Sequence, residues 1–280
     1  MKIGCHAVLF TDRIAKETEE VLKEFEKTGC QGVEIGARFF GVEKSSYLKE
    51  LLDQYHLQLS GLHVSALWTD LLDDPQKVED AVGKAVEFLQ IMPNKNIIFT
   101  GAAQKDPSHH PEEPVDPRLS DTESAEKMAE KLNEIAGKAG EKGVFINYHN
   151  HCWEFDHDGL LFMALIHKAP RVHFALDTGW AAGSGWDPAD LIEKYPDRIS
   201  YVHLRDFKKE IMEKCHTFDQ KQESYVDLGT GDMDYDHLMS VIKKNFGDNG
   251  WAVIEYEKGK VDFERYTNCL LYTSPSPRDS

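Results

Sequence analysis

The sequence lacks long apolar runs, paired cysteines and a surplus of basic residues, and each absence excludes a class of protein. No run approaches the ~20 apolar residues that a membrane-spanning helix needs. The five cysteines are scattered without a CxxC pair, which argues against a disulfide framework and against a zinc knuckle. The 32 basic residues are outnumbered by 49 acidic ones, and a net charge of -17 makes nucleic acid and membrane surfaces poor partners.

The first ten residues give no sign of a secretory leader. They contain one lysine and pass directly into a strand pattern, which differs from the pattern of a signal peptide. Because unpaired cysteines also fit a reducing compartment, we expect a cytoplasmic protein. The 280 residues, of which 41% are hydrophobic and 29% charged, are typical of a globular protein with one large domain or two small ones.

Short apolar runs alternate with amphipathic segments along the chain and predict eight strand–helix units. The predicted strands are Lys2–Phe10, Gly32–Gly36, Leu59–Ser65, Asn96–Gly101, the start of Val144–Phe155, Val172–Asp177, Ile199–Leu204 and Trp251–Tyr256. Eight such units in roughly 250 residues predict a single (β/α)₈ barrel. An open doubly wound sheet is the second candidate, disfavoured because no glycine-rich phosphate turn follows the first strand.

The end of the chain departs from this rhythm. Cys269–Ser280 breaks the preceding helical pattern and resembles a translated sequencing adapter. We therefore expect the barrel domain to occupy residues 1–268 with a truncated last helix, and residues 269–280 to be a non-native or disordered tail. A genuine flexible Ser/Pro tail is the alternative.

The stretch Val144–Phe155 carries the strongest chemical signal. It begins with apolar residues and ends in polar ones, among them His149, His151 and Glu154. A strand of this kind delivers its last side chains to the carboxyl edge of a parallel sheet, where binding sites form.

Three later strands also end in metal-competent side chains, namely Asp177, His203 and Glu255. Each has an ordinary alternative role, as a turn cap, a packing residue or a buried paired acid. Together they predict that the strand ends converge on one divalent metal, since oxygen and imidazole ligands accept Mn²⁺, Mg²⁺, Co²⁺ or Zn²⁺. Such an ion can chelate sugar oxygens and stabilise the enediolate that forms when a neighbouring C–H loses its proton.

Several phrases of the sequence resemble the sugar phosphate isomerase/epimerase group of the xylose isomerase-like TIM-barrel superfamily. They are, in order, YHNHCWEF, LDTGW…GWDP, YVHLRDF, DLGTGDMDY and GWAVIEYE. The resemblance implies a metal held by Glu, Asp, His and Glu from the fifth to eighth strands. Asp177, His203 and Glu255 match the last three of these ligands directly.

The first ligand has two candidates. Many relatives place a glutamate where this chain has His149, and Glu154 is the nearest carboxylate that can reach back. We assign Glu154 as the ligand and His149 as the catalytic acid/base, with His149 itself as the alternative ligand. Glu255 is placed in both the metal-binding and the catalytic group.

Further side chains at the same barrel mouth are predicted to contact substrate. They are Glu34, His63, His151, Trp180 and Arg205. Polar-layer packing, hydrophobic closure and pairing with a nearby acid are the structural alternatives for these residues.

The resemblance implies a metal-dependent isomerase or epimerase of a small sugar or polyol-derived ketose. A lyase or dehydratase acting on a keto-inositol or a 3-keto-glycoside is the alternative with the same site. Phosphodiester cleavage, as in the barrel of endonuclease IV, is disfavoured by the acidic charge, and a non-catalytic sugar-binding protein is a fourth interpretation. The expected partner is a small sugar, and a homo-oligomer is compatible because dimers and tetramers are common among such barrels.

Overall fold

The computed structural model describes residues 1–103, 115–256 and 262–273. The strands are β1 (Lys2–His6), β2 (Gly32–Gly36), β3 (Gln58–Leu67), β4 (Asn96–Ala102), β5 (Phe145–His149), β6 (His173–Asp177), β7 (Ile199–Leu204), β8 (Asp206–Phe207), β9 (Tyr225–Val226) and β10 (Trp251–Ile254). Eight of them are parallel and close into a barrel in the order β1-β10-β7-β6-β5-β4-β3-β2, while β8 and β9 pair separately. The predicted (β/α)₈ barrel is confirmed.

Helices alternate with the strands along the chain. They are α1 (Arg13–Lys16), α2 (Thr18–Thr28), α3 (Ser45–Gln54), α4 (Asp70–Asp73), α5 (Pro75–Leu89), α6 (Thr122–Gly140), α7 (Asp156–Lys168), α8 (Thr178–Gly183), α9 (Pro188–Lys194), α10 (Lys209–Met212), α11 (Phe218–Gln222), α12 (Tyr235–Asn245) and α13 (Phe263–Thr273). Within the described part of the chain, none of these helices is long and apolar enough to cross a membrane.

Local sequence signals set several helix ends. Gly29 follows α2 with a φ of 87°, a left-handed conformation that suits glycine. Asp187 caps α9 by accepting from the backbone N–H of Ala189. Asp121, and not the preceding Ser120, caps α6 by accepting from the backbone N–H of Ser124.

The last helix continues past residue 268, the boundary that the sequence suggests. α13 extends through Thr273, and Cys269 and Leu270 are buried. Residues 274–280 lie outside the described residues. The non-native origin of the tail stays a prediction.

The barrel interior has an apolar floor and a polar upper layer. The floor is a separate buried cluster of Ile98, Ala175, Tyr201, Trp251 and Val253. Two residues further along β6, β7 and β10, the inward positions belong to Asp177, His203 and Glu255. Because side chains alternate along a strand, this two-residue step places all three in the polar layer.

Glycine at position 32 makes room for the floor. A Cβ there would lie 2.6 Å from the Trp251 ring and 2.7 Å from the carbonyl oxygen of Gln58. We expect Gly32→Ala to destabilise the protein by roughly 1–3 kcal/mol, the usual cost of overpacking. Gly83→Ala is the matched control, because Gly83 lies within α5 with nothing within 4 Å of its added Cβ. That change should stabilise by about 0.4–1 kcal/mol. Urea unfolding that gives both changes the same sign would contradict this packing.

The carboxylate of Asp206 holds the long segment between β7 and β10 in place through hydrogen bonds. Asp206 accepts hydrogen bonds from the backbone N–H groups of Phe207, Gly229, Gly231 and Met233, at 2.9, 3.0, 2.7 and 3.3 Å. These bonds fix both ends of the excursion that carries α10 and α11. The segment therefore has a defined position at the mouth of the barrel.

Candidate metal centre

Four metal-competent side chains meet at the carboxyl edge of neighbouring strands. His149 and Asp177 end β5 and β6, His203 lies in β7, and Glu255 directly follows β10. Each offers one ligand atom, and these four atoms lie within 4.8 Å of one another. All four side chains are buried, with at most 3% exposed.

Several polar atoms of this group have no hydrogen-bond partner among the described residues. They are Nδ1 of His149, Nδ1 of His203 and Oε2 of Glu255. The last two form an ion pair at 2.7 Å, which leaves Nδ1 of His149 as the atom of the three without a charged partner. Buried polar atoms are rarely left unpaired. An imidazole and carboxylate donor set of this kind fits Mn²⁺, Co²⁺ or Zn²⁺, so the residues present fit a divalent metal.

Glu34 of β2 orients His203 of β7 across the barrel interior. Its Oε2 lies 2.7 Å from Nε2 of His203 and accepts from the hydroxyl of Tyr201, also at 2.7 Å. This contact directs Nδ1 of His203 into the four-residue group, as outer carboxylates do at metal-binding histidines. Burial opposes ionisation of Glu34, but His203 and His6 lower its pKa to about 2. Glu34 is thus an anionic support for a ligand.

The two histidines of the group have pKa values shifted in opposite directions. Burial lowers the pKa of His149, so its ring is neutral and has a lone pair to offer. Burial acts against His203 in the same way, but Glu34 and Glu255 raise its pKa well above the usual value. A metal must therefore displace a proton from His203.

Arg205 braces two of the carboxylates. Its Nε lies 2.6 Å from Oδ2 of Asp177, and its Nη2 lies 3.0 Å from Oε2 of Glu255. Burial raises the pKa of Asp177 to about 6 in spite of Arg205. Burial also acts on Glu255, but Arg205 and His203 hold its pKa well below the usual range. The guanidinium of Arg205 thus pairs with two proposed metal ligands, and Arg205 does not line the cavity.

The structure does not bring Glu154 into the group. Its Oε1 accepts from the Tyr148 hydroxyl at 2.6 Å and from Nε1 of Trp68 at 2.9 Å, and its Oε2 accepts from the N–H of His151 at 2.6 Å. Burial raises its pKa to about 7. Glu154 lies beyond the end of β5, where the chain turns back and strand alternation no longer applies. We therefore replace Glu154 by His149 in the proposed ligand set, and His149 is no longer free to act as the acid/base.

A cavity of about 970 Å³ opens beside the group. Of the residues predicted to bind substrate, His63 and His151 line the cavity. The other three, Glu34, Trp180 and Arg205, are buried and do not line it. The His151 ring lies 4.7 Å from the His149 ring, centroid to centroid. Burial lowers the pKa of His151 to about 3, so the ring is neutral. Its Nδ1 has no hydrogen-bond partner among the described residues.

An aromatic wall surrounds His151, and one member was not predicted. His151 stacks on Trp153 with ring centroids 4.4 Å apart. Phe218 of α11 stacks on Trp180 at 5.0 Å and lies 5.4 Å from Trp153 and 5.6 Å from His151. No signal in the sequence singles out Phe218, since it is an isolated apolar residue in a long polar segment.

Known proteins share this architecture. The family model of the xylose isomerase-like TIM barrel matches residues 22–270. The chain is 28% identical over 261 residues to an inosose dehydratase of Geobacillus kaustophilus, covering 89% of this chain and 83% of that protein. A sugar phosphate isomerase/epimerase from Parabacteroides distasonis has a TM-score of 0.72 at 17% identity, covering 98% of this chain and 94% of its own. A 3-keto-D-glucoside 4-epimerase from E. coli has a TM-score of 0.71 at 15% identity, covering 98% of both chains. The chain belongs to the xylose isomerase-like TIM-barrel family.

Proposed function

We propose that the chain is a metal-dependent enzyme that removes a proton next to the carbonyl of a small keto-sugar or keto-polyol. The observation that carries this proposal is the buried group of His149, Asp177, His203 and Glu255, next to His63 and His151 of the cavity lining. These four residues would hold a divalent ion, whose chemistry would be to polarise a substrate carbonyl and so to make the neighbouring proton easier to remove.

His151 is the proposed base. It lines the cavity and lies next to the proposed ligand His149 without belonging to the ligand group. An imidazole so placed can take a proton from a substrate carbon and hold it on one ring nitrogen. Trp153 and Phe218 pack against the ring and fix its orientation at the cavity.

Two products follow from the same proton removal. In isomerisation or epimerisation, the proton returns to carbon. In dehydration, the C–O bond of the neighbouring carbon breaks, and the proton held by His151 joins the leaving hydroxyl to form water. Similarity to an inosose dehydratase over 89% of the chain supports dehydration of a cyclic keto-polyol as the first candidate. Isomerisation or epimerisation of a ketose, which the sequence phrases favour, is the second.

A substrate panel in D₂O tests the proposal. Keto-inositols, ketoses and 3-keto-glycosides are incubated with the metal-free protein and with the protein reloaded with Mn²⁺ or Co²⁺. We expect metal-dependent exchange of one substrate C–H for deuterium. Dehydration lowers the product mass by one water, whereas epimerisation leaves the heavy-atom composition unchanged. Turnover that survives complete chelation, or no exchange with any substrate class, would contradict the proposal.

A further inference from the structure

A second group of metal-competent side chains lies beside the first. His6, Glu34 and His63 come from β1, β2 and β3, which are neighbours in the barrel. Each offers one ligand atom, and these atoms lie within 4.8 Å of one another. The proposed function gives His6 no role, although this side chain is only 2% exposed.

His6 lies between two buried carboxylates. Its Nδ1 lies 2.7 Å from Oε1 of Glu255, and because a carboxylate only accepts, Nδ1 carries the hydrogen. Its Nε2 lies 3.5 Å from Oε1 of Glu34. That oxygen is buried and has no hydrogen-bond partner in the described part of the chain. A buried carboxylate oxygen of this kind needs a positive charge nearby, and an ion held between His6, Glu34 and His63 would supply it.

His63 completes the group on the cavity side. Its Nε2 lies 2.7 Å from Oγ1 of Thr100, and its ring makes an edge contact with the His6 ring at a centroid distance of 5.5 Å. The side chain is half-buried and lines the cavity, so an ion can reach it from solvent. The other ring nitrogen is left to act as a ligand.

We propose that His6, Glu34 and His63 form a second divalent-cation site, distinct from the one at His149. Two imidazoles and one carboxylate are ligands that Zn²⁺, Mn²⁺ and Co²⁺ accept. Ligand atoms on opposite sides of such an ion lie about 4 Å apart, so a small inward movement of the side chains is sufficient. Glu34 serves both sites, because its Oε2 orients His203 while its Oε1 faces His6.

Charge makes the second site the weaker one. The two groups together contain the carboxylates of Glu34, Asp177 and Glu255 and the guanidinium of Arg205. One divalent ion at the first site brings their formal sum to zero. A second ion binds without that compensation and needs water or an anionic substrate oxygen from the cavity to complete its shell. We therefore expect one tight and one weaker binding step.

Metal titration of the whole protein tests this proposal. Metal-free wild type, His63→Ala and His149→Ala are titrated with Mn²⁺, with bound ions counted by calorimetry and by electron paramagnetic resonance. His56→Ala is the control, because His56 is 84% exposed and lies in neither group. We expect two steps in the wild type and the control. His63→Ala should lose only the weaker step, and His149→Ala the tight one. Thr100→Val keeps the His63 ring but removes its partner, so it should weaken the second step about 10–100-fold.

The outcomes separate this inference from the proposed function. A single step in the wild type at saturating Mn²⁺, or a weaker step that survives His63→Ala unchanged, overturns the second site alone. Absence of the tight step contradicts the proposed function, while the dependence of the weaker step on His63 still decides the second site. Anomalous diffraction from Mn²⁺-soaked crystals gives the position of each ion directly.

Discussion

His149→Ala should lose the tightly bound metal, whereas Glu154→Gln should keep it. His149 offers a buried nitrogen to the four-residue group, while both oxygens of Glu154 are taken up by Trp68, Tyr148 and the backbone of His151. Loss of an outer partner costs metal affinity about 10–100-fold, so loss of a ligand should exceed about 100-fold. Metal content after gel filtration in chelated buffer and titration with Mn²⁺ measure the difference.

Glu154→Gln should instead affect stability. A carboxamide can still accept from Tyr148 and Trp68 through its oxygen, but its NH₂ group then faces the N–H of His151. Leaving that buried donor unpaired costs about 1–3 kcal/mol. Urea unfolding of the metal-free protein should show this loss.

His149→Glu keeps the experiment decisive if His149→Ala folds poorly. It restores a ligand atom at the same strand end. We expect retained metal and a preference that moves from Zn²⁺ towards Mn²⁺ and Mg²⁺, because carboxylates favour the harder ions. Metal loss in Glu154→Gln together with normal binding in His149→Ala would restore the assignment that the sequence suggested.

Strand alternation predicts the direction of side chains within a strand, but it does not predict the direction of Glu154. Asp177, His203 and Glu255 could be identified because each ends an apolar run whose alternating side chains fix the inward direction. Glu154 comes after its strand has ended, in a turn whose direction the sequence pattern does not specify. The fold could be predicted from the repeated alternation of strands and helices alone. That alternation remains recognisable when the predicted ends of the elements are wrong by a few residues.

The sequence pattern does not predict which side chains of distant strands contact each other. Glu34 was predicted to point into the barrel, but its pairing with His203 joins residues 169 positions apart. Strands that are not neighbours in the barrel, such as β2 and β7, share no local sequence signal, so a single sequence offers no way to match their side chains. Phe218 shows the same limit, because its place against Trp180 depends on the path of a long loop.

His151→Gln should abolish most turnover while leaving both metal-binding steps intact. His151 belongs to neither ligand group, yet it lines the cavity and lies next to His149. Removal of a positioned general base costs about 10²–10⁴-fold in kcat. Glutamine preserves much of the side-chain volume between Trp153 and Trp180 but is not a base at neutral pH. His167→Gln, at an exposed position of α7, is the matched control and should turn over normally.

Deuterium exchange distinguishes a base from a residue that only shapes the cavity. If His151 removes the proton, His151→Gln should lose exchange of the substrate C–H in D₂O and product formation in the same proportion, with little change in KM. If the ring only packs against Trp153, KM should rise while exchange at saturating substrate persists. Normal exchange in His151→Gln combined with its loss in His63→Gln would move the base to His63, since both imidazoles line the cavity next to the His149 ring.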